Sequence, residues 1–141
     1  MKSLILLVED NEELLYISKR ALEFHGYQVA VAKNGLEAVT LASAQLPDAV
    51  LMDVYMPVMD GLEATFRIRS DPRTKDIPIL ATTASARPGE KERCFAVGCN
   101  DYVQKPYTYA ELTDAIRKIL ADGKSKVACQ VESGLLGGEV L

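Results

Sequence analysis

The chain has 141 residues, a length that suits one domain with a buried core better than two. Its composition, 48% hydrophobic and 26% charged, is typical of a globular protein and excludes a disordered or fibrous one. A formal net charge of −4 argues against nucleic acid or an anionic membrane as a partner, and no apolar run approaches the roughly 20 residues of a membrane span.

Apolar runs alternate with stretches of helical period along the chain. In the first such stretch, Asn11 is a candidate N-cap and Gly26 a candidate stop. The pattern predicts five strands, at residues 4–8, 28–32, 48–53, 77–83 and 101–104. It predicts five helices between and after them, at residues 11–26, 35–45, 61–70, 88–97 and 108–121.

This alternation predicts the fold class. Strands interleaved with helices imply parallel β-α-β units with helices on both faces of the sheet. Runs such as "LILLV" are continuously apolar, as expected of strands buried on both faces. We therefore predict an α/β fold, a doubly wound parallel sheet of five strands in the order 2-1-3-4-5 with five helices. Residues 1–121 would form this domain, and residues 122–141 a C-terminal tail or the start of a linker.

Polar side chains follow the predicted strands. In an open α/β sheet, ligands bind beyond the carboxyl ends of the strands, where the strand order reverses. Strands one and three are neighbours in the predicted order, so Glu9 and Asp10 should lie close to Asp53. Strands four and five lead to Thr83 and Lys105 at the same end of the sheet.

These residue types suit phosphoryl transfer. Clustered carboxylates raise one another's pKa, and a hard divalent cation such as Mg²⁺ relieves this while also binding phosphate. A carboxylate is a competent nucleophile toward phosphorus when the charge of the transferring group is offset. Lys105 offers a positive charge and Thr83 a hydroxyl for the phosphoryl oxygens, so Asp53 is the predicted acceptor.

Four segments, "LVEDNEE", "VLMDVYMPVMDGLEA", "ILATTASA" and "DYVQKPY", resemble the receiver domains of two-component response regulators of the CheY-like type, which have a flavodoxin-like fold. The resemblance covers the chain from about Leu4 to Ala121. It implies phosphoryl transfer to Asp53 from a histidine kinase or a histidine phosphotransfer protein. It also implies Mg²⁺ bound by Asp10, Asp53 and the backbone carbonyl of Tyr55, with Glu9 assisting through water.

The resemblance further implies a signalling switch. Thr83 and Tyr102 match the family's switch pair, and Lys105-Pro106 matches its lysine followed by a proline, typically joined by a cis bond. Phosphorylation would change the face formed by helix four, strand five and helix five, and this face would signal to a downstream protein.

The lifetime of the phosphoryl group should depend on Tyr55 and Ser85, which lie nearest the path of an attacking water. Tyr55 is bulky and a poor proton acceptor at neutral pH, so we expect it to occlude the water rather than guide it. If occlusion by bulk dominates, Tyr55→Asn should speed hydrolysis several-fold and Tyr55→Phe should change it little. The alternative is that the Tyr55 hydroxyl holds the water, and Tyr55→Phe would then slow hydrolysis.

The same residues allow other interpretations. Glu9 and Asp10 could serve only as acids in the first turn of a helix, although Asp53 and Lys105 at neighbouring strand ends favour a site. A phosphatase of the haloacid-dehalogenase type needs a second aspartate where Tyr55 stands, and the acidic "EDNEE" would repel the phosphate of a flavin mononucleotide. A degenerate receiver that acts only as an interaction module remains the alternative, but it would be expected to lack one of the site residues.

The cysteines and the start of the chain indicate a cytoplasmic protein. Cys94, Cys99 and Cys129 form no CxxC pair, and His25 is remote from them, so we expect reduced thiols and no zinc site. The N-terminal apolar run is followed by acids and lacks a small-residue cleavage site, unlike a signal peptide. We expect a monomer or a weak dimer.

Overall fold

The computed structural model describes residues 2–85 and 87–122. Its strands are β1 (Leu4–Val8), β2 (Gln28–Ala32), β3 (Ala49–Asp53), β4 (Ile79–Thr83) and β5 (Asp101–Gln104). Its helices are α1 (Glu12–Phe24), α2 (Gly35–Gln45), α3 (Gly61–Ser70), α4 (Glu90–Val97) and α5, residues 109–122. The strands form one parallel sheet in the order β2-β1-β3-β4-β5. The predicted fold class and strand order are confirmed.

Five elements, β3, β4, α1, α4 and α5, differ from their predicted bounds by one or two residues, and three of these differences have a local cause. Strand β3 starts at Ala49 because Asp48 turns its side chain to the Leu4 amide, 2.7 Å away. Strand β4 starts after Pro78, which has no N–H to donate to a ladder. Helix α4 starts at Glu90 and not at residue 88, because Gly89 has a φ of +85° and lies outside the helical region.

The N-terminal caps explain where the first three helices begin. The Asn11 side chain accepts a hydrogen bond from the Leu14 amide at 2.9 Å, which confirms the predicted cap of α1. Asn34 and Asp60 cap α2 and α3 in the same way. Each of these caps follows a strand or loop directly, so the helices start at fixed positions beside the carboxyl ends of the strands.

The sheet has a hydrophobic core on each face. Successive residues of a strand point to opposite faces, so Leu6 and Val8 enter one core while Ile5 and Leu7 enter the other. The first core includes side chains of α2, α3 and α4, and the second includes side chains of α1 and α5. This double burial accounts for the continuous apolar pattern of β1.

The cysteines and His25 are the subject of smaller predictions. Cys94 and Cys99 are buried free thiols, as expected, whereas Cys129 and residues 123–141 of the predicted tail lie outside the described part. His25 is exposed at the C-terminus of α1, where a ring nitrogen lies 2.9 Å from the Ala21 carbonyl oxygen. Within the described part of the chain, no helix is both long and apolar enough to cross a membrane.

Gly61 allows α3 to contact the end of the strand that carries Asp53. A Cβ atom at this position would lie 2.1 Å from the Asp53 carbonyl oxygen and 2.9 Å from Cγ of Met52. The Gly61 amide also donates to the Val54 carbonyl oxygen at 2.7 Å. Any larger residue must therefore push the start of α3 away from β3.

We expect Gly61→Ala to lower the free energy of unfolding by about 2 kcal/mol or more, because the added methyl group meets backbone rather than a movable side chain. Urea unfolding at constant pH measures the change. Phe66→Ala, on the exposed side of the same helix, is the matched control and should cost far less. Equal losses in the two variants would contradict the proposed close contact.

Candidate functional site

Three carboxylates meet where β1 and β3 end. Val8 of β1 pairs with Met52 of β3, so the residues that follow them lie side by side. Glu9, Asp10 and Asp53 each offer one oxygen, and these oxygens lie within 4.8 Å of one another. Glu9 and Asp53 are buried, while Asp10 is exposed. The all-oxygen donor set with one solvent-facing member fits a hard divalent cation such as Mg²⁺.

Lys105 brings a positive charge to this cluster. Its Nζ lies 2.8 Å from Glu9 Oε1 and 3.3 Å from Asp53 Oδ1. The Lys105 amide donates to the Thr83 carbonyl oxygen at 2.8 Å, which extends the pairing of β4 with β5 by one step and fixes the lysine backbone. The Lys105-Pro106 bond is cis, as the family resemblance implied.

Burial and the neighbouring charges of Glu9 and Lys105 set the pKa of Asp53. Burial, and after it the neighbouring Glu9, raise the pKa of Asp53 to about 7 although Lys105 opposes both. Burial alone would lower the pKa of Lys105, but its contacts with Glu9 and Asp53 raise it overall. The ammonium therefore stays charged, while full ionisation of Asp53 at neutral pH requires additional positive charge.

Thr83 and Tyr102 both contact the segment that follows β4. The buried Thr83 hydroxyl accepts a hydrogen bond from the Ser85 amide at 3.0 Å. The half-buried Tyr102 packs against the first core, and its hydroxyl donates to the Ser85 carbonyl oxygen at 3.2 Å. Two side chains from neighbouring strands thus hold the same residue of the β4–α4 loop.

Tyr55 reaches a partner that sequence reasoning missed. The residue is 40% exposed, yet its hydroxyl donates to Oε1 of the buried Glu90 at 2.6 Å. The Arg87 guanidinium donates to the same hydroxyl and lies 5.4 Å from the centre of the Tyr55 ring. An acid in the first turn of a helix is ordinary, so the sequence carried no signal for Glu90.

The comparison with protein families decides what this arrangement is. The family model described as the response regulator receiver domain matches residues 5–117. The chain belongs to this family. Receiver domains are signalling switches that interact with histidine kinases and with downstream targets.

Individual relatives agree with this assignment. The chain is 36% identical to the polar-differentiation response regulator DivK of Brucella anthropi, over 86% of this chain and 99% of the relative. It is 39% identical to the receiver domain of the Pseudomonas aeruginosa sensor histidine kinase PA1611, with a TM-score of 0.80 and coverage of 86% and 99%. That structure has a magnesium ion coordinated in its active site cleft. The chemotaxis protein CheY4 of Vibrio cholerae is 29% identical, with a TM-score of 0.80 and coverage of 84% and 99%.

The raised pKa of Asp53 predicts how the stability of the metal-free receiver depends on pH. A carboxyl group whose pKa is higher in the folded state stabilises that state fully below about pH 4, and this contribution is lost as the pH rises through about 7. In EDTA, raising the pH from 5 to 8 should therefore lower the free energy of unfolding of wild type by on the order of 2 kcal/mol more than that of Asp53→Asn.

Urea unfolding at the two pH values measures the difference, with the exposed Asp122→Asn as the matched control. Excess Mg²⁺ should remove most of the gain in stability that Asp53→Asn shows over wild type at pH 8. The same stability difference at pH 5 and pH 8 would contradict the electrostatic account.

Proposed function

We propose that this receiver accepts a phosphoryl group on Asp53 from a phosphohistidine, in a reaction that requires Mg²⁺, and signals through the face formed by α4, β5 and α5. One observation carries the proposal. The buried Asp53 carboxylate lies 3.3 Å from the Lys105 ammonium and within a cluster of oxygen donors that fits a divalent cation. The donor would be a histidine kinase or a histidine phosphotransfer protein.

The transfer forms one bond and breaks one. An Asp53 oxygen attacks phosphorus as the phosphorus–nitrogen bond breaks, and the electron pair of that bond stays on the imidazole nitrogen. The histidine leaves neutral because its other ring nitrogen carries the proton. Lys105 would donate to a phosphoryl oxygen and offset the charge that develops during transfer.

Magnesium would supply the remaining positive charge. The ligands would be carboxylate oxygens of Asp10 and Asp53 and the backbone carbonyl of Tyr55, with Glu9 assisting through water. When bound, the ion would offset both the carboxylates and the phosphoryl oxygens, as metals do in other phosphoryl-transfer sites. The magnesium ion in the active site cleft of the Pseudomonas aeruginosa relative supports a magnesium site in this receiver.

Switching would begin at Thr83. Its hydroxyl accepts from the Ser85 amide, which leaves the hydroxyl proton able to donate to a phosphoryl oxygen. A phosphoryl group can shift the receiver between two states only through contacts that differ between them. Movement of Thr83 toward the phosphoryl group would alter Ser85, and through Ser85 the hydroxyl of Tyr102 on β5.

Asp53 should be the sole acceptor. Incubation with acetyl phosphate and Mg²⁺ should label wild type at an acyl phosphate that base and hydroxylamine cleave, because aspartyl phosphate is a mixed anhydride. Asp53→Asn should lose the label, and EDTA should prevent it in wild type. The matched control, Asp122→Asn, should label like wild type. Labelling of Asp53→Asn at the wild-type rate would refute the proposal.

Thr83→Ala should still accept the phosphoryl group but should uncouple it from Tyr102. The measurement is the ¹⁹F resonance of 3-fluorotyrosine at position 102, assigned by its loss in Tyr102→Phe, before and after phosphorylation. Wild type and Thr83→Ser should show a phosphorylation-dependent shift, since both keep a hydroxyl donor. An equal shift in Thr83→Ala would show that Thr83 does not carry the coupling.

A further inference from the structure

Glu90 is a buried carboxyl group that is only partly satisfied. The residue is 2% exposed, and its Oε1 accepts the Tyr55 hydroxyl at 2.6 Å. Its only described ion-pair partner is the exposed Arg87, at 3.8 Å, and its Oε2 has no hydrogen-bond partner among the described residues. A buried carboxyl group with an unpaired oxygen destabilises a fold, so its contribution is better sought in function than in stability.

Glu90 belongs to a network that joins the two loops beside the acceptor. Tyr55 lies in the loop after β3, whereas Glu90 begins the helix after β4. Arg87, between β4 and α4, donates to the Tyr55 hydroxyl and, at 3.2 Å, to the Ser85 hydroxyl. The side chains of Tyr55 and Ser85, both expected near the path of an attacking water, are therefore connected through Arg87.

The hydrogen bond between Tyr55 and Glu90, which we call the Tyr55–Glu90 tether, crosses between neighbouring strands. Strands β3 and β4 pair directly, with Asp53 opposite Thr82. A side chain that starts two residues after Asp53 and ends on α4 must span the gap between the loops that follow these strands. Asp53 and Thr83 are the last residues of these two strands.

We propose that Glu90 is a positioning residue for the acceptor site, because its carboxyl group holds the Tyr55 ring across the path by which water reaches the phosphorylated Asp53. This inference deepens the proposed function and rests on it. In the hydrolysis, a water oxygen attacks phosphorus, the bond to the Asp53 oxygen breaks, and its electron pair returns to the carboxylate. The proton of the water passes to solvent.

The tether matters because Tyr55 is otherwise an exposed side chain. An exposed phenol without a fixed partner exchanges rotamers and spends part of its time in solvent. Glu90 provides a fixed acceptor, since α4 holds its backbone and its side chain is buried. The tether therefore predicts an effect of removing the Tyr55 hydroxyl, whereas occlusion by bulk alone predicts none.

The experiment measures the first-order loss of phosphate from purified phosphorylated protein in Mg²⁺. Glu90→Leu removes the acceptor and Tyr55→Phe removes the donor, so each should speed the loss by about threefold. The double variant should be no faster than either single variant, because both changes break the same bond. Glu90→Gln keeps a side-chain oxygen acceptor and should stay near the wild-type rate. Glu92→Leu, at an exposed acid of the same helix, is the matched control.

Several results would overturn the inference. One is loss of phosphate at the wild-type rate in Glu90→Leu. Another is a double variant whose rate increase is the product of the two single increases. A third is loss of phosphate at or below the wild-type rate in Tyr55→Phe. Should Glu90→Leu fail to fold, as judged by circular dichroism, Tyr55→Phe and Glu90→Gln still decide between tether and bulk. Absence of any label on wild type would refute the proposed function itself, whereas normal labelling with equal decay in all variants would refute only the tether.

Discussion

The site depends on the repulsion among carboxylates that the parallel sheet brings together. Glu9 and Asp53 are both buried, and Asp10 stands beside them. Lys105 lies within salt-bridge distance of the two buried acids but supplies only one positive charge. The site is therefore left with excess negative charge, which a divalent cation and a phosphoryl-transfer reaction can both use. Burial, together with the neighbouring Glu9, raises the pKa of Asp53 and makes it hard to ionise without a metal.

The fold holds this unfavourable cluster in place with packing on both faces of the sheet. Strands β1 and β3 contribute alternate side chains to two cores, so neither strand can shift without disrupting both. Gly61 allows α3 to pack directly against the carbonyl of Asp53. Asp53 is thus fixed by the packed sheet, while Ser85, which Thr83 and Tyr102 both contact, lies on a loop.

The loops after β3 and β4 connect the acceptor to α4 and β5. Ser85 receives contacts from Thr83 and Tyr102, and through Arg87 it is linked to Tyr55. Tyr55 in turn is bonded to Glu90 at the start of α4. One continuous network therefore adjoins both the path of an attacking water and the surface expected to signal. The proposed role of the Tyr55–Glu90 tether would relate the lifetime of the phosphoryl group to the position of α4.

The sequence by itself determined the elements and the acceptor cluster, because both depend on local pattern. Continuous apolar runs predicted the strands, and the parallel order placed Glu9 and Asp10 beside Asp53. Only the tertiary structure decided the contact between Tyr55 and Glu90, which are 35 positions apart. That contact depends on how two loops approach each other, and loop approach follows from helix packing and from the positive φ of Gly89. Neither helix packing nor a positive φ produces a periodic pattern in the sequence.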